Sequence, residues 1–241
     1  MNVSGDFAPW LGVFETLRVV NGVPLFVAEH RAELARAMEA LGLGTEADFE
    51  QAAAGLPAFS GRWRWIVMQE ETRTLFSEEE TASAEPLVLS VSPVRVGSCN
   101  WDARFKTLSH LSHVQAWRTA ATPEVVLLNE EGRVASASRG NIFWRRGDRV
   151  FTPAHEAGCR CGVVRAFVCT RQKVETGHFP LSDLMEADEI FLTNSMKGIV
   201  SVNAVPGRSL SAFPCADKLR EAYAKAVAAH LKGRRQTRLS A

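Results

Sequence analysis

The beginning of the chain changes its apolar periodicity from that of a strand to that of a helix, and this change limits the possible folds. Residues 13–20 alternate as in a half-buried strand, and residues 23–27 are typical of a second strand. Asn21 and Gly22 form a preferred hairpin turn between them, because both residues tolerate positive φ. From Ala28 to Leu41 apolar residues recur at helical spacing, and Gly42 is suited to end that helix.

The same two periods recur along the rest of the chain and predict an α+β protein. Further strands are expected at 62–68, 87–91, 125–128, 133–137, 141–145, 150–152 and 189–193, and further helices at 46–54 (capped by Thr45), 111–121, 162–172 and 218–231. The succession of short strands and turns favours mostly antiparallel sheets. The turn-rich segment 92–102 predicts two lobes, a smaller N-terminal α/β domain over residues 1–97 and a larger C-terminal α/β domain over residues 98–241.

Charge and hydropathy argue against several classes of function. The formal net charge of +1 gives no strong field for binding nucleic acid or a membrane surface. The apolar runs are far shorter than the about 20 residues of a membrane-spanning helix, and the N-terminus lacks the pattern of a secretory signal. The basic run at 232–238 is interpreted as a solvated or frayed tail rather than an RNA-binding arm.

The cysteines indicate a cytoplasmic protein without a metal centre. Their number is five, which is odd, and no disulfide framework suggests itself. Cys159, Cys161 and Cys169 lie close together in the sequence, but the second ligand pair of a structural zinc site is missing. We therefore interpret the five cysteines as reduced thiols.

Four segments carry residues that suit one particular cofactor chemistry. Lys106 lies in a mixed apolar and hydroxyl setting, where an amine that is partly neutral can form a Schiff base. Gly-rich and hydroxyl-rich turns follow apolar stretches at 138–143, 162–165 and 192–195, and such turns offer amides and side-chain donors to a phosphate. A Schiff-base lysine and a phosphate cradle are what a protein supplies to pyridoxal 5'-phosphate (PLP).

The chain resembles the class IV aminotransferase family, which uses PLP. The resemblance is carried by these segments together with residues 12–18, Asn141-Ile142-Phe143-Trp144 and Thr152-Pro153. The resemblance implies a two-domain fold with the site in the inter-domain cleft, a homodimer, and a small-molecule amino substrate. It implies that Lys106 is the Schiff-base lysine and the proton-transfer group. It also implies that the cofactor phosphate is held by the following residues: Val163 and Val164 through their backbone, with Asn194 and Ser195.

Two positions depart from the family pattern. The family has an arginine for the phosphate where this chain has Glu33, and Arg36, three residues further on, is the candidate to replace it. The family places a glutamate at the pyridine nitrogen, and Ser136 falls on that position. Because a carboxylate keeps the ring nitrogen protonated and a hydroxyl does not, we expect transamination to be impaired more than elimination.

The resemblance is strongest to 4-amino-4-deoxychorismate lyase, which releases pyruvate and gives 4-aminobenzoate. The first alternative is an aminotransferase for D-amino or branched-chain amino acids. The second is a degenerate member of the family without PLP chemistry, which Glu33 and Ser136 favour.

Several side chains have a structural interpretation beside the functional one. Asn194 and Ser195 are also common turn residues. The histidines, His30 among them, are interpreted as structural. Arg62 and Arg64 alternate with tryptophans as in a half-buried strand, and either arginine could receive a substrate carboxylate.

Overall fold

The computed structural model describes residues 11–44, 49–69, 71–78 and 87–239, with side chains as far as residue 233. The chain divides into two compact units. The first unit is formed by Met1–Thr81, Phe105–Ser109 and Val227–Ala241, and the second by Ala82–Arg104 and His110–Ala226. The boundary proposed between residues 97 and 98 stays a prediction.

The first unit contains an antiparallel sheet packed against helices. Its elements are β1 (Gly12–Val20), β2 (Val23–Pro24), α1 (Val27–Leu41), α2 (Phe49–Ala54), β3 (Gly61–Met68) and β4 (Thr72–Glu78). The strand order is β2-β1-β3-β4. Val13, Leu17 and Val19 of β1 pack in one apolar core with Trp63 and Trp65 of β3. Because alternate residues of a strand share a face, this core lies on the side of the sheet to which Glu15 also belongs.

The turn chemistry predicted at the start of the chain is confirmed, and the strand that follows it is shorter than predicted. Asn21 and Gly22 both have positive φ, 49° and 75°. The second strand ends at Pro24 rather than at residue 27, because Phe26 adopts a left-handed conformation and α1 begins at Val27. Gly42 ends α1 in the left-handed conformation, as predicted. The proposed cap Thr45 lies outside the described residues.

The second unit holds the remaining sheets. Its elements are β5 (Leu89–Val96), α3 (Trp101–Arg104), α4 (Leu111–Arg118), β6 (Glu124–Asn129), β7 (Val134–Ala137), β8 (Asn141–Arg146), β9 (Arg149–Pro153), a 3-10 turn (His155–Ala157), α5 (Val163–Arg171), β10 (Val174–Gly177), α6 (Leu181–Met185), β11 (Glu189–Asn194), β12 (Gly198–Ser201), β13 (Ala204–Val205), β14 (Arg208–Ser209) and α7 (Pro214–Leu239). The strand orders in its sheets are β10-β9-β8-β11-β12, β5-β6-β7 and β13-β14. Only the β10–β9 and β5–β6 pairs are parallel among the described strands, so the predicted mostly antiparallel α+β class is confirmed.

Two segments differ from the sequence prediction for identifiable reasons. The proposed link at 92–102 is strand as far as Val96, and the register with β6 shifts around Pro93, which has no N–H for the ladder. The C-terminal helix begins at Pro214 rather than Lys218, because the carboxylate of Glu189 accepts hydrogen bonds from the Cys215 and Ala216 amides at its first turn. The helix continues to Leu239, so the backbone of the basic run at 232–238 is helical, while its interpretation as a solvated tail rather than an RNA-binding arm stays a prediction.

None of the helices within the described part of the chain combines the length and the apolar character that crossing a membrane requires.

Candidate functional site

Lys106 lies on a short extended segment that pairs with the beginning of β1. The Phe14 amide donates to the Lys106 carbonyl at 2.8 Å, and the Leu108 amide donates to the Gly12 carbonyl at 2.9 Å. Thr107 is bridged to Val13 between these two bonds. The backbone on both sides of the lysine is therefore fixed by a strand that is itself central in a sheet.

The Lys106 side chain ends at a buried carboxylate. Its Nζ lies 2.9 Å from Oε2 of Glu15, and Nδ1 of His30 lies 2.6 Å from the same oxygen. Glu15 is on the core face of β1 and is 5% exposed, while His30 is in the first turn of α1 and is 1% exposed. Two nitrogen-bearing side chains from different elements thus converge on one oxygen inside the first unit.

This arrangement keeps Glu15 ionised. Burial by itself would raise the pKa of the Glu15 carboxyl, but the Lys106 charge and the His30 hydrogen bond outweigh burial and lower that pKa to about 2. An ionised carboxylate only accepts hydrogen bonds, so the proton between Oε2 and His30 belongs to Nδ1. Sequence reasoning interpreted His30 as structural and gave Glu15 no role of its own.

We expect the depressed pKa of Glu15 to make folding of this protein acid-sensitive. A carboxyl group with a native pKa of about 2 and an ordinary value of 4.5 stabilises the fold above pH 4.5 and loses that contribution as the pH falls toward 2. The contribution is about 3 kcal/mol. Denaturant unfolding followed by circular dichroism between pH 6 and pH 2 should show a smaller loss of stability in Glu15→Gln than in the wild type. Equal losses of stability in the two proteins would contradict the depressed pKa assigned to Glu15.

Glu33 and Arg36 form an ion pair on the same helix, with the Glu33 side chain 24% exposed and that of Arg36 49% exposed. Burial raises the pKa of Glu33, Arg36 opposes this effect, and the charge of Glu15 adds to it. Arg36, predicted to replace the family's phosphate-binding arginine, therefore directs at least one guanidinium nitrogen to Glu33. Its role toward a phosphate stays a prediction.

The other face of the same sheet carries arginines. Arg64 of β3 lies opposite Thr16, donates to its hydroxyl at 3.3 Å, and stacks its guanidinium 4.6 Å from the centre of the Phe14 ring. Arg62 lies opposite Arg18 on this face. Burial, together with the charge of Arg62, lowers the pKa of Arg64. A partly buried group of cations suits an anionic ligand.

In the second unit, Val163 and Val164 are the first two residues of α5. Gly162 precedes them in an extended conformation, and no side chain caps this helix start. Their amides have no acceptor within the helix, because the helical ladder begins with the Ala166 amide donating to the Gly162 carbonyl. The predicted backbone cradle therefore offers amides of the kind that bind a phosphate.

Asn141 holds this helix start against β8. Its Nδ2 donates to the Arg160 carbonyl at 2.7 Å, and a Cβ on Gly162 would lie 2.3 Å from its Oδ1. Asn141 also pairs in register with Thr193 of β11. Asn141 was named from the sequence only as part of the Asn141-Ile142-Phe143-Trp144 motif. Nothing in the sequence indicated its contact with Gly162.

We expect Gly162→Ala to destabilise this unit by about 1–3 kcal/mol, because the new methyl group must displace the buried Asn141 amide. The φ of Gly162 is −77°, so backbone strain does not contribute. Thermal unfolding measures the effect. Gly147→Ala at an open turn, where strain at φ 58° is the only cost, is a control for general loss of glycine. A Gly162→Ala protein as stable as the wild type would contradict this packing.

Asn194 and Ser195 lie where β11 ends. Oδ1 of Asn194 accepts hydrogen bonds from the Met196 and Lys197 amides, at 3.1 and 2.8 Å, which is the use of a turn residue. Ser195 lies within this turn. A Cβ on Gly140 would come within 2.8 Å of the Thr193 carbonyl, so the segment before β8 runs directly beside the end of β11. The structure thus brings the predicted turns at 138–143 and 192–195 together, while their role toward phosphate stays a prediction.

Ser136 lies in β7, is 4% exposed, and donates its hydroxyl to the Ala137 carbonyl at 2.7 Å. A hydroxyl engaged in this way cannot act as the counter-charge of a protonated ring nitrogen. No group of three or more His, Cys, Asp or Glu side chains that could hold a metal ion occurs within the described ranges.

The residues present fit the aldehyde and phosphate ends of PLP better than its ring nitrogen. Lys106 supplies an amine next to a buried carboxylate, and the start of α5 supplies amides without helical acceptors. Glu33 and Ser136, the two positions that depart from the resemblance, supply neither a cation for a phosphate nor a carboxylate for a ring nitrogen.

Several proteins of known structure or sequence are similar to this chain. An aminodeoxychorismate lyase of Bacillus subtilis is 26% identical over 222 residues, which cover 79% of this chain and 76% of that protein. The crystal structure of 4-amino-4-deoxychorismate lyase from Pseudomonas aeruginosa gives a TM-score of 0.75 at 23% identity, covering 87% of this chain and 88% of that one. The crystal structure of an aminotransferase from Brucella abortus bound to PLP gives a TM-score of 0.76 at 19% identity, covering 90% of this chain and 89% of that one. The two structures show a shared fold.

The match to a known family extends over most of the chain. The family model described as amino-transferase class IV matches residues 12–205. This range contains Lys106 with its partner Glu15, and also the α5 start and the β11 turn. The family consists of PLP-dependent lyases and aminotransferases, and the predicted fold is confirmed by its solved members. This chain therefore belongs to the amino-transferase class IV family.

Proposed function

We propose that the protein is a PLP-dependent lyase that converts 4-amino-4-deoxychorismate into pyruvate and 4-aminobenzoate. The observation that carries this proposal is Ser136, whose hydroxyl is bonded to the Ala137 carbonyl where the family has a carboxylate. Aromatisation of the product ring supplies much of the driving force for this elimination, so a weak electron sink is tolerable. Transamination lacks that source of driving force. The similarity to the lyases of Bacillus subtilis and Pseudomonas aeruginosa supports the same choice.

Each group of residues has a distinct task in this proposal. When bound, PLP supplies an aldehyde for the substrate amine and a conjugated ring that accepts electron density. Lys106 anchors the cofactor and moves the proton. The amides at Val163 and Val164, with Asn194 and Ser195, bind the phosphate, and Arg36 is the further candidate for this task. Arg62 or Arg64 receives a carboxylate of the substrate, since Arg64 stacks on Phe14, whose amide is bonded to the Lys106 carbonyl.

A second candidate function is transamination of a D-amino or branched-chain amino acid. The similarity to the PLP-bound aminotransferase of Brucella abortus favours it, because that fold supports transamination. The third candidate is a family member without PLP chemistry. Glu33 favours it, because its carboxylate is paired with Arg36, the arginine that is the candidate for binding the phosphate.

One set of assays separates the three candidates. The protein purified with PLP is incubated with 4-amino-4-deoxychorismate, and pyruvate and 4-aminobenzoate are measured separately. Amino donors are then tested with 2-oxoglutarate or pyruvate as acceptor. Equal amounts of both lyase products support the first proposal, keto-acid exchange without them supports the second, and a protein that neither binds PLP nor turns over supports the third.

We further propose that the protein works as a homodimer in the cytoplasm. Trp101, Leu111 and Trp117 of the second unit are exposed, Leu111 to 74%, and such apolar side chains are commonly covered in an assembly. The five cysteines are free thiols, which suits a reducing compartment. Light scattering on the purified protein gives the mass, and a monomer at micromolar concentration would contradict the dimer.

A further inference from the structure

The cluster of Lys106, Glu15 and His30 contains more chemistry than anchoring a cofactor requires. Oε2 of Glu15 lies 2.9 Å from Lys106 Nζ, 2.6 Å from His30 Nδ1 and 3.3 Å from the Thr16 amide. The His30 side chain is 2% exposed and that of Glu15 is 7% exposed, whereas that of Lys106 is 26% exposed. The lysine is thus the member of the cluster that reagents can reach, and the other two stand behind it.

The charge balance of this cluster changes whenever Lys106 reacts. An ammonium group has no lone pair, so Nζ must lose one proton before it can attack a carbonyl carbon. Glu15 would then be a buried anion without a full positive charge beside it, a state that costs several kcal/mol when nothing replaces the cation. His30 is the neighbour that can replace it, because the imidazole is the side chain whose ordinary pKa lies closest to neutral pH.

We propose that Glu15 and His30 are positioning residues that control when the Lys106 amine is free to react. Glu15 holds Nζ in place as an ammonium ion, and His30 takes up one proton when Lys106 loses one. The total charge of the cluster stays the same: ammonium, carboxylate and neutral imidazole become neutral amine, carboxylate and imidazolium. The proton is exchanged through solvent, because Nδ1 already carries the proton bonded to Oε2 and the added proton goes to Nε2.

A further charged pair near the cluster comes from α1. Glu33 interacts electrostatically with both Glu15 and Lys106, and its own partner is Arg36. The Glu33–Arg36 pair carries no net charge. It therefore affects the protonation of Lys106 and His30 less than these two residues affect each other. The inference rests on the proposed role of Lys106 in the PLP lyase, but it concerns the amine alone and is testable without cofactor.

The experiment measures how fast Lys106 is methylated by formaldehyde and cyanoborohydride at pH 6.5–8.5. The neutral amine attacks the carbonyl carbon, the oxygen leaves as water, and the borohydride reagent delivers hydride to the carbon. Mass spectrometry quantifies the Lys106 peptide relative to the exposed Lys218 in the same sample. At pH 7.5 we expect Glu15→Gln to raise the Lys106 rate about tenfold or more, because the ammonium form loses its anion. We expect His30→Gln to lower the rate about threefold, because glutamine donates to Glu15 but cannot gain a proton.

The opposite signs of these two effects separate the proposal from a merely structural role. Loosened packing would expose Lys106 and raise its rate in both variants. Glu189→Gln is the matched control, since Glu189 is a fully buried carboxylate of the second unit, and its variant should label Lys106 at the wild-type rate. Circular dichroism identifies a variant that fails to fold, and His30→Asn then takes the place of His30→Gln.

The possible outcomes are distinct from those of the functional assays. Opposite shifts in the two variants support the positioning role, even if the protein never binds PLP or releases pyruvate. Two shifts of the same sign, or no shift in either variant, overturn the positioning role, even if the lyase activity is found.

Discussion

The Lys106→Ala protein is expected to lose both the bound cofactor signal and the reaction. Wild-type protein purified with PLP should absorb visible light, and borohydride should fix the cofactor to Lys106, where peptide mapping finds it. The variant should show neither, since alanine offers no amine beside Glu15. Pyruvate release from 4-amino-4-deoxychorismate should fall by about three orders of magnitude or more, because one group both anchors the cofactor and moves the proton.

The matched control for this substitution is Lys218→Ala, which removes an exposed lysine from α7. It should keep the absorption, the borohydride adduct and the rate of the wild type. A Lys106→Ala enzyme that releases pyruvate at a near-wild-type rate would contradict the role of Lys106. A borohydride adduct on another lysine would move the anchor elsewhere.

Ser136→Glu is expected to shift the balance of activities toward transamination. A carboxylate at residue 136 would hold a proton on the ring nitrogen and strengthen the electron sink, as the family pattern implies. With an amino donor and 2-oxoglutarate, we expect the rate of keto-acid formation to rise about tenfold or more, since a carboxylate partner stabilises a cation by one or more pKa units. The rate of pyruvate release from the lyase substrate should rise much less. Both rates are measured on protein saturated with PLP.

Ser136→Gln is the control for size, because glutamine has the shape of glutamate without its charge. Ser136 is nearly buried in β7, so either longer side chain disturbs packing to a similar extent. A gain in transamination that appears only with glutamate supports the electrostatic explanation. If glutamate leaves transamination unchanged in a cofactor-loaded enzyme, the choice between lyase and transaminase does not depend on residue 136.

Much of the fold was predictable because it depends on local chemistry. The Asn21-Gly22 hairpin, the Gly42 helix end and the α5 start all follow from conformational preferences of single residues or pairs. The parallel pairing of β5 with β6 was not predictable from local signals, because it joins strands that are separated in sequence by two helices. The early start of α7 likewise depends on Glu189, which is 25 residues before Pro214 in the sequence numbering and reaches the helix only after folding.

The candidate site likewise has some features that could be predicted from local sequence and others that depend on distant contacts. Lys106 and the turns proposed to bind phosphate were recognisable from motifs, whereas the proposed roles of Glu15 and His30 depend on contacts across 91 and 15 residues. A signal for Glu15 was nevertheless present in the sequence. It occupies the second position of a core face whose other positions are Val13, Leu17 and Val19, and a carboxylate on a core-facing position requires a cation nearby. Searching core faces for charged residues would have found it.

The pairing of Phe105–Ser109 with β1 has a consequence for biosynthesis. The described strands of the first unit's sheet end at Glu78, but Glu15 acquires its ammonium partner only when residue 106 has left the ribosome. Until then His30 is the side chain of the cluster that can bond the carboxylate, so closing the nascent sheet around Glu15 costs more than it does with Lys106 in place. The arrival of residue 106 is therefore a step that the fold of this unit and the proposed site share, and Val227–Ala241 joins the unit only later in synthesis.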